Sequence, residues 1–171
     1  IRAKEIESWD DATFLNKAKI TRAGKITNAA IILLGREESE HFLSPAVCVI
    51  RWKLLAKEDK NKDFHNFHVP MIKSVEEITT GYIRNNNYVY TVSGNIFPEN
   101  MMRYDVFTLR EPICNAIGHQ DYGMGARIEL LEYEDEKLVI QNYGQFIPNS
   151  VEDVVEKDCP DSRYRNPFLM E

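Results

Sequence analysis

Cysteine is scarce in this sequence, and no long apolar run is present. The three cysteines among 171 residues are odd in number, widely spaced and without a C-x-x-C pair. This pattern argues against both a disulfide framework and a zinc knuckle, so a reducing, cytoplasmic location is the default expectation. The longest apolar stretch, residues 29–34, is far shorter than the roughly 20 residues of a membrane span. No signal peptide opens the chain, and we expect no membrane partner.

Positive charge is also in deficit, because 21 Lys and Arg residues face 27 Asp and Glu residues. The net charge of -6 argues against the whole segment being a phosphate-backbone binder, although a local basic patch is not excluded.

The sequence also lacks common nucleotide-binding motifs. The G-x-x-x-x-G-K pattern of a P-loop is missing. Gly123-x-Gly125 lacks the third glycine of a dinucleotide fingerprint. His65 and His68 would point to opposite faces of a strand, which disfavours a shared metal.

The remaining composition is that of an ordinary globular protein, with 43% hydrophobic and 28% charged residues. The length suffices for one substantial core or two small ones. The first residue is Ile1 rather than Met, and the last residues end within a helical pattern. We therefore expect an excised or processed fragment of a longer chain.

Hydrophobic periodicity and capping signals predict alternating helices and strands. A boundary between two parts of the chain is expected near residue 104, because a strand-rich α/β segment precedes it and a different pattern of elements follows. The predicted helices are residues 27–35 with Thr27 as N-cap, a helix opened by Ser74, a helix around residues 108–119, and one from Ser150; the predicted strands are residues 46–55, 64–69, 88–94 and the hairpin 127–133 with 137–142.

The helix that begins near Thr108 carries the candidate chemistry. Thr108 and Glu111 have the spacing of a capping box, and Pro112 would fall in the first turn, where its missing N–H costs little. Glu111 and Asn115 lie one turn apart on one face, so a carboxylate and an amide can serve one ligand. The alternative is that Glu111 only caps the helix and Asn115 is an exposed polar residue.

A family resemblance rests on three motifs that follow one another in order. They are Glu111-x-x-x-Asn115-Ala116-Ile117-x-His119-x-Asp121-Tyr122, a hairpin ending in Ile140-x-Asn142-x-Gly144, and Arg165-Asn166-Pro167. This order resembles the C-terminal ATPase-like domain of prokaryotic RecG-related transcriptional regulators, which are related to ATP-dependent DNA helicases. There the domain lies downstream of an Alba-like, Schlafen-type DNA-binding domain, which this sequence lacks. Residues 24–35 resemble the segment that follows that domain, so the resemblance covers nearly the whole chain.

The resemblance implies a nucleotide site, because such domains are similar to the ATP-binding sandwich of type II topoisomerases, mismatch-repair ATPases and sensor histidine kinases. It implies that Glu111 is the general base on water and that Asn115 holds the Mg²⁺ that bridges the ATP phosphates. Asn142 takes the place of the aspartate that receives the adenine amino group. Gly144 takes that of a glycine that allows close approach of the base. His119 would belong to the nucleotide or partner surface.

Several features depart from the family pattern. Asn142 lacks the charge-assisted strength of a carboxylate. No second glycine-rich segment, which closes over the phosphates in true members, occurs before Glu171. A structural alternative has His119 bonding the last helical carbonyls. Arg165 and Asn166 could meet phosphates, but we favour a capping role for Asn166, with Pro167 at the first helical position.

The sequence therefore predicts an α/β (α+β) protein in two parts. Residues 1–103 form a linking α/β region, and residues 104–171 form an incomplete ATPase-like α/β sandwich with a mixed or antiparallel sheet. The expected function is a degenerate Mg-ATP-binding domain of a cytoplasmic, DNA-associated transcriptional regulator. We expect DNA to be bound through the missing domain, with weak ATPase activity in the full-length protein and little in this fragment. The alternative is a catalytically silent module for homodimerisation or protein interaction.

Overall fold

The computed structural model describes residues 3–56, 59–84, 87–90, 99–134, 136–148, 150–157 and 164–170. The helices are α1 (Ala3–Ile6), α2 (Asp11–Lys17), α3 (Asn28–Leu34), α4 (Met71–Glu77), α5 (Val106–His119), α6 (Val151–Lys157) and α7 (Pro167–Met170). The strands are β1 (Thr21–Arg22), β2 (Lys25–Ile26), β3 (Ile50–Leu55), β4 (Asn61–Phe67), β5 (Asn87–Tyr90), β6 (Glu99–Met102), β7 (Ile128–Tyr133) and β8 (Lys137–Gln141). Short 3₁₀ helices span Glu37–Leu43 and Tyr122–Met124, and a π-helical turn, Ile78–Tyr82, continues α4.

A four-stranded mixed sheet in the order β4-β3-β7-β8 is the centre of the fold. β3 and β4 form one antiparallel hairpin, and β7 and β8 form another. The two hairpins meet through the parallel pair β3 and β7, in which Ile50 lies opposite Ile128 and Trp52 opposite Leu130. The predicted α+β class with a mixed sheet is therefore confirmed.

Side chains alternate between the two faces of a sheet along each strand, and one face of this sheet is buried. The exposed fractions of Ile50, Leu54 and Leu130 are 0%, whereas Arg51 and Lys53 between them on β3 remain partly exposed. The helices α3, α4 and α5 contribute to the same core through Ile32, Met71, Val75, Leu109, Ile113 and Ile117. This packing fixes which face of α5 turns away from the core.

A buried carboxylate joins the two hairpins to the chain after α4. Glu132 is 5% exposed and accepts from Trp52 Nε1 at 2.8 Å and from the backbone N–H of Arg84 at 2.9 Å. Since both carboxylate oxygens have a donor, the cost of burying this group is offset.

The sheet continues across the predicted boundary between residues 103 and 104. β3 precedes that position and pairs with β7, which follows it, and the core cluster takes residues from both sides. The two-part division stays a prediction.

Several local predictions are confirmed. Thr27 caps α3 by accepting from the Ala30 N–H at 3.1 Å, and Gly35 ends the helix. The hairpin of β7 and β8, the helix after Ser150 and the helix that starts at Pro167 also have the expected positions. Of the predicted strand 88–94, residues 88–90 lie in β5, and residues 91–94 lie outside the described residues.

Two predicted helix starts are wrong. α5 begins at Val106, because Asp105 is its N-cap and accepts from the Thr108 N–H at 3.1 Å. Asp is at least as good an N-cap as Thr, so Thr108 lies inside the first turn and Pro112 lies in the helix interior. α4 begins at Met71, and the Ser74 hydroxyl donates to the His68 carbonyl at 2.7 Å instead of capping.

None of the helices within the described residues combines the length and the apolar character that a bilayer span requires. The cytoplasmic location stays a prediction.

Candidate functional site

A cavity of about 590 Å³ lies between α5, the end of β8, the loop that follows β8, α6 and the start of α7. We call it the α5–β8 cavity. Its described lining residues are Pro112, Asn115, Ala116, His119, Ile140, Asn142, Gly144, Gln145, Phe146, Ile147, Pro148, Val154, Tyr164 and Arg165.

Four of the five site residues implied by the family resemblance meet in this cavity. Asn115 and His119 lie one turn apart on α5, and Asn142 and Gly144 follow β8. Glu111 is exposed and is absent from the described lining, although it precedes Asn115 by one turn. The structure therefore brings the amides, the imidazole and the glycine together and leaves the expected general base outside.

The orientation of α5 follows from its buried face. Leu109 and Ile113 are 3% and 0% exposed and pack in the core, which turns Asn115 away from it. Because α5 also packs against β8, its Asn115 and His119 face the loop that carries Asn142. The placement of the site thus depends on ordinary hydrophobic packing.

A buried amide ties this loop to the end of α5. Gln120 is 0% exposed, its Oε1 accepts from the Tyr143 N–H at 2.7 Å, and its Nε2 donates to the Ala126 carbonyl at 2.8 Å. The Asp121 N–H donates to the Tyr143 carbonyl at 2.7 Å. Gln120 was not predicted as a site residue, because its hydrogen-bond partners are 6 and 23 positions away along the chain and leave no local pattern.

Arg165 supplies the cation of the site. Its Nη1 lies 3.0 Å from Asp121 Oδ2, and its Nη2 donates to the Gln145 carbonyl at 2.7 Å. The guanidinium lies against Gly144, where a Cβ would come within 3.1 Å of Nε and Nη2. Gly144 also has a φ of +152°, a conformation that L side chains rarely adopt. The close approach seen at Gly144 is therefore that of Arg165.

Asn166 acts on α5 rather than on its own helix. Its Nδ2 donates to the Gly118 and Gln120 carbonyls at 2.9 and 2.8 Å. The Ile117 carbonyl accepts from the Tyr122 hydroxyl at 2.9 Å. These donors serve the carbonyls at the end of α5, which the structural alternative had assigned to His119.

Close packing joins the same two helices. A Cβ on Gly118 would overlap the Met170 sulfur of α7, so the Met170 side chain packs directly against the backbone of α5 at Gly118. The His119 ring lies 6.4 Å from the Tyr164 ring, just before α7. Residues 164–170 thereby close one side of the cavity.

The described lining combines apolar walls with neutral polar groups and one formal charge. Ile140, Phe146, Ile147 and Val154 are apolar, the amides belong to Asn115, Asn142 and Gln145, and Arg165 carries the positive charge. No carboxylate is among the described lining residues. Such a site suits a planar, partly apolar ligand with hydrogen-bonding edges and an anionic group.

The lining fits Mg²⁺ only with help from the ligand. Within the described ranges, no three His, Cys, Asp or Glu residues form a metal cluster. An Asn115 oxygen is nevertheless a ligand type that Mg²⁺ accepts, and Mg²⁺ commonly keeps waters and binds substrate phosphates. The residues therefore fit a metal that arrives with a phosphorylated ligand.

Two nearby thiol and phenol groups are kept neutral by burial. Burial raises the pKa of the Cys48 thiol to about 12 and also raises the pKa of the Tyr122 phenol, so both stay protonated at neutral pH. The pKa of the Cys114 thiol on α5 is raised as well, mainly by desolvation. Tyr122 donates its hydroxyl hydrogen to the Ile117 carbonyl, and Cys48 packs in the core.

The comparisons with known proteins find a similar fold and assign no function to the α5–β8 cavity. A family described as a domain of unknown function, DUF8451, matches residues 2–50, which lie before every residue of the α5–β8 cavity. No curated protein matches the chain. The crystal structure of the DIP2311 protein from Corynebacterium diphtheriae is similar at a TM-score of 0.70 and 16% identity. The likeness covers 98% of this chain and 32% of that one, so this chain spans about a third of that protein.

A second cavity of about 600 Å³ lies within the matched N-terminal residues. It is lined by β2, α3 and the 3₁₀ helix Glu37–Leu43, with Ile26, Leu34 and Phe42 exposed at its edge. None of the predicted site residues belongs to this N-terminal groove.

Proposed function

We propose that the α5–β8 cavity binds a purine nucleotide, ATP together with Mg²⁺, and that the chain is the nucleotide-binding part of a cytoplasmic, DNA-associated transcriptional regulator. DNA would be bound by a domain outside this sequence. The observation that carries the proposal is the meeting of Asn115, His119, Asn142 and Gly144 in one cavity. The family resemblance selected these residues from separate motifs, and their convergence supports a shared ligand.

The lining residues suit the two parts of a nucleotide, its base and its phosphates. Asn142 and the apolar Ile140 and Ile147 can hold a base by hydrogen bonds and contact. Asn115 on α5 is the amide that would contribute an oxygen to Mg²⁺ on the phosphates. The Arg165 guanidinium lies against Gly144, where the Gln145 carbonyl and an ion pair with Asp121 hold it in place.

Binding is better supported than hydrolysis. A general base must lie within hydrogen-bond reach of the water that it activates, directly or through one other water. Glu111 is exposed and is absent from the described lining. We therefore propose at most weak ATPase activity for the full-length regulator and nucleotide binding without useful turnover for this chain.

Calorimetric titration with a non-hydrolysable ATP analogue and Mg²⁺ tests the proposal. Saturable binding is expected. The affinity of Asn115→Ala should be about tenfold weaker than that of the unsubstituted protein, since one hydrogen bond or metal contact is removed. Glu111→Ala, one turn earlier on the same helix, should bind as the unsubstituted protein does. Absence of saturable binding would refute the proposal.

A pairing module is the second candidate. Val151 and Val155 lie one turn apart on α6 and are 61% and 72% exposed, and Phe146 in the adjoining loop is 60% exposed. Exposed apolar groups of this kind favour a protein contact, such as homodimerisation. Sedimentation at high concentration distinguishes this candidate, because a monomer under those conditions counts against it.

A further inference from the structure

The side-chain amide of Asn142 is one of the polar groups that line the α5–β8 cavity. Asn142 follows β8, is exposed, and lines the cavity beside Gly144. Within the part of the chain that the structure describes, no hydrogen-bond partner holds its amide. Its carbonyl and its NH₂ group are both available to a ligand.

The side-chain amide of Gln120, just after α5, has a hydrogen-bond partner at each end. Its carbonyl accepts from Tyr143 and its NH₂ donates to Ala126, so exchange of the two ends would place a donor against a donor and an acceptor against an acceptor. The Gln120 amide therefore has one orientation. Asn142 has no such constraint and can present either end to the cavity.

This difference has a direct chemical consequence for a purine. The Asn142 carbonyl can accept from the 6-amino group of adenine, and its NH₂ can donate to the 6-oxo group of hypoxanthine or guanine. No carboxylate among the described lining residues opposes an oxo group. The lining thus contains neither an acceptor-only nor a donor-only group at this position.

We propose that Asn142 makes the site tolerant of both 6-amino- and 6-oxopurine nucleotides. This inference rests on the proposed nucleotide binding and specifies its substrate class. A rotatable amide forms one neutral hydrogen bond with either base, so neither is strongly preferred. A carboxylate at the same position would accept from the amino group and repel the oxo group.

The test compares ATP with inosine triphosphate, which carries an oxo group in place of the 6-amino group. Titrations use their non-hydrolysable analogues with Mg²⁺. We expect the two affinities of the unsubstituted protein to agree within about fivefold. In Asn142→Asp, the affinity for the inosine analogue should fall by at least about tenfold relative to that for the ATP analogue.

Asn61→Asp is the matched control, because it makes the same amide-to-acid change at an exposed position on β4, away from the cavity. Its ratio of affinities should equal that of the unsubstituted protein. A preference for the ATP analogue above about tenfold in the unsubstituted protein, or an unchanged ratio in Asn142→Asp, would overturn this inference and leave nucleotide binding intact. Failure of both analogues to bind would instead refute the proposed function.

Discussion

The guanidinium of Arg165 lies against Gly144, at a distance that leaves no room for a side chain. A Cβ on Gly144 would come within 3.1 Å of Arg165 Nε and Nη2. Arg165 in turn holds Asp121 at the end of α5 and the Gln145 carbonyl after β8. One close contact thereby joins three segments that border the cavity.

Replacement of Gly144 by alanine should displace Arg165 and weaken nucleotide binding. The added Cβ meets the guanidinium, and the φ of +152° strains any L residue, at a cost of about 1–3 kcal/mol in the free energy of unfolding. Chemical denaturation and titration with an ATP analogue measure the two effects. Gly81→Ala is the control, since a Cβ there meets nothing within 4 Å. Equal behaviour of the two variants would contradict the role of this contact.

Asn166→Ala should destabilise the junction of α5 and α7. The substitution removes two hydrogen bonds, to the Gly118 and Gln120 carbonyls, and we expect a loss of about 1–3 kcal/mol in the free energy of unfolding. Asn28→Ala, at an exposed position at the start of α3, should change stability little. Urea denaturation of both variants is the measurement. A similar small effect in both would show that the two carbonyls do not depend on Asn166.

Glu132→Gln should destabilise the sheet although the side chain keeps its size. Trp52 and the Arg84 backbone each donate to one carboxylate oxygen, and an amide would turn an NH₂ group toward one of these donors. The expected cost is about 1–3 kcal/mol in the free energy of unfolding. Glu136→Gln, an exposed change of the same kind, is the control. Thermal unfolding that fails to separate the two variants would contradict the assigned hydrogen bonds.

Lys62→Met should raise the pKa of Glu134. The hydrogen bond from Lys62 is the largest cause of the lowered pKa of this carboxyl, with Lys62 and Arg84 also favouring the anion by charge. The pKa of Glu134 is depressed in the folded state. The contribution of the ionised Glu134 to stability is therefore fully present above the unfolded-state pKa, and it is lost as the pH falls through the folded-state pKa. NMR titration of the Glu134 carboxyl gives its pKa. An unchanged pKa in Lys62→Met would show that the ion pair has no such effect.

The parts of the fold that the sequence predicts well are those with local causes. Thr27 and Gly35 bound α3 through contacts within a few residues, and the hairpin of β7 and β8 follows from alternation around a short turn. The parallel pairing of β3 and β7 joins residues 78 positions apart, from Ile50 to Ile128, and has no local signal. The capping-box spacing of Thr108 and Glu111 predicted a later helix start than the one observed, because Asp105 caps α5 although no Glu or Gln follows it at the capping-box spacing.

The candidate site was likewise predicted only in part from the sequence. The motif order selected Asn115, His119, Asn142 and Gly144, which the fold then brings to one cavity. The contacts of Gln120 and Arg165 were not predicted, because their partners come from other motifs and depend on how α5, the loop after β8 and α7 pack.

The central claim is that a nucleotide occupies the α5–β8 cavity, and NMR titration of the isotope-labelled chain with an ATP analogue and Mg²⁺ tests it most directly. We expect saturable shifts at the backbone amides of Asn115, His119, Asn142 and Gly144, with Ile26 and Phe42 of the N-terminal groove unaffected. Shifts confined to that groove, or no saturable shifts at all, would contradict the claim.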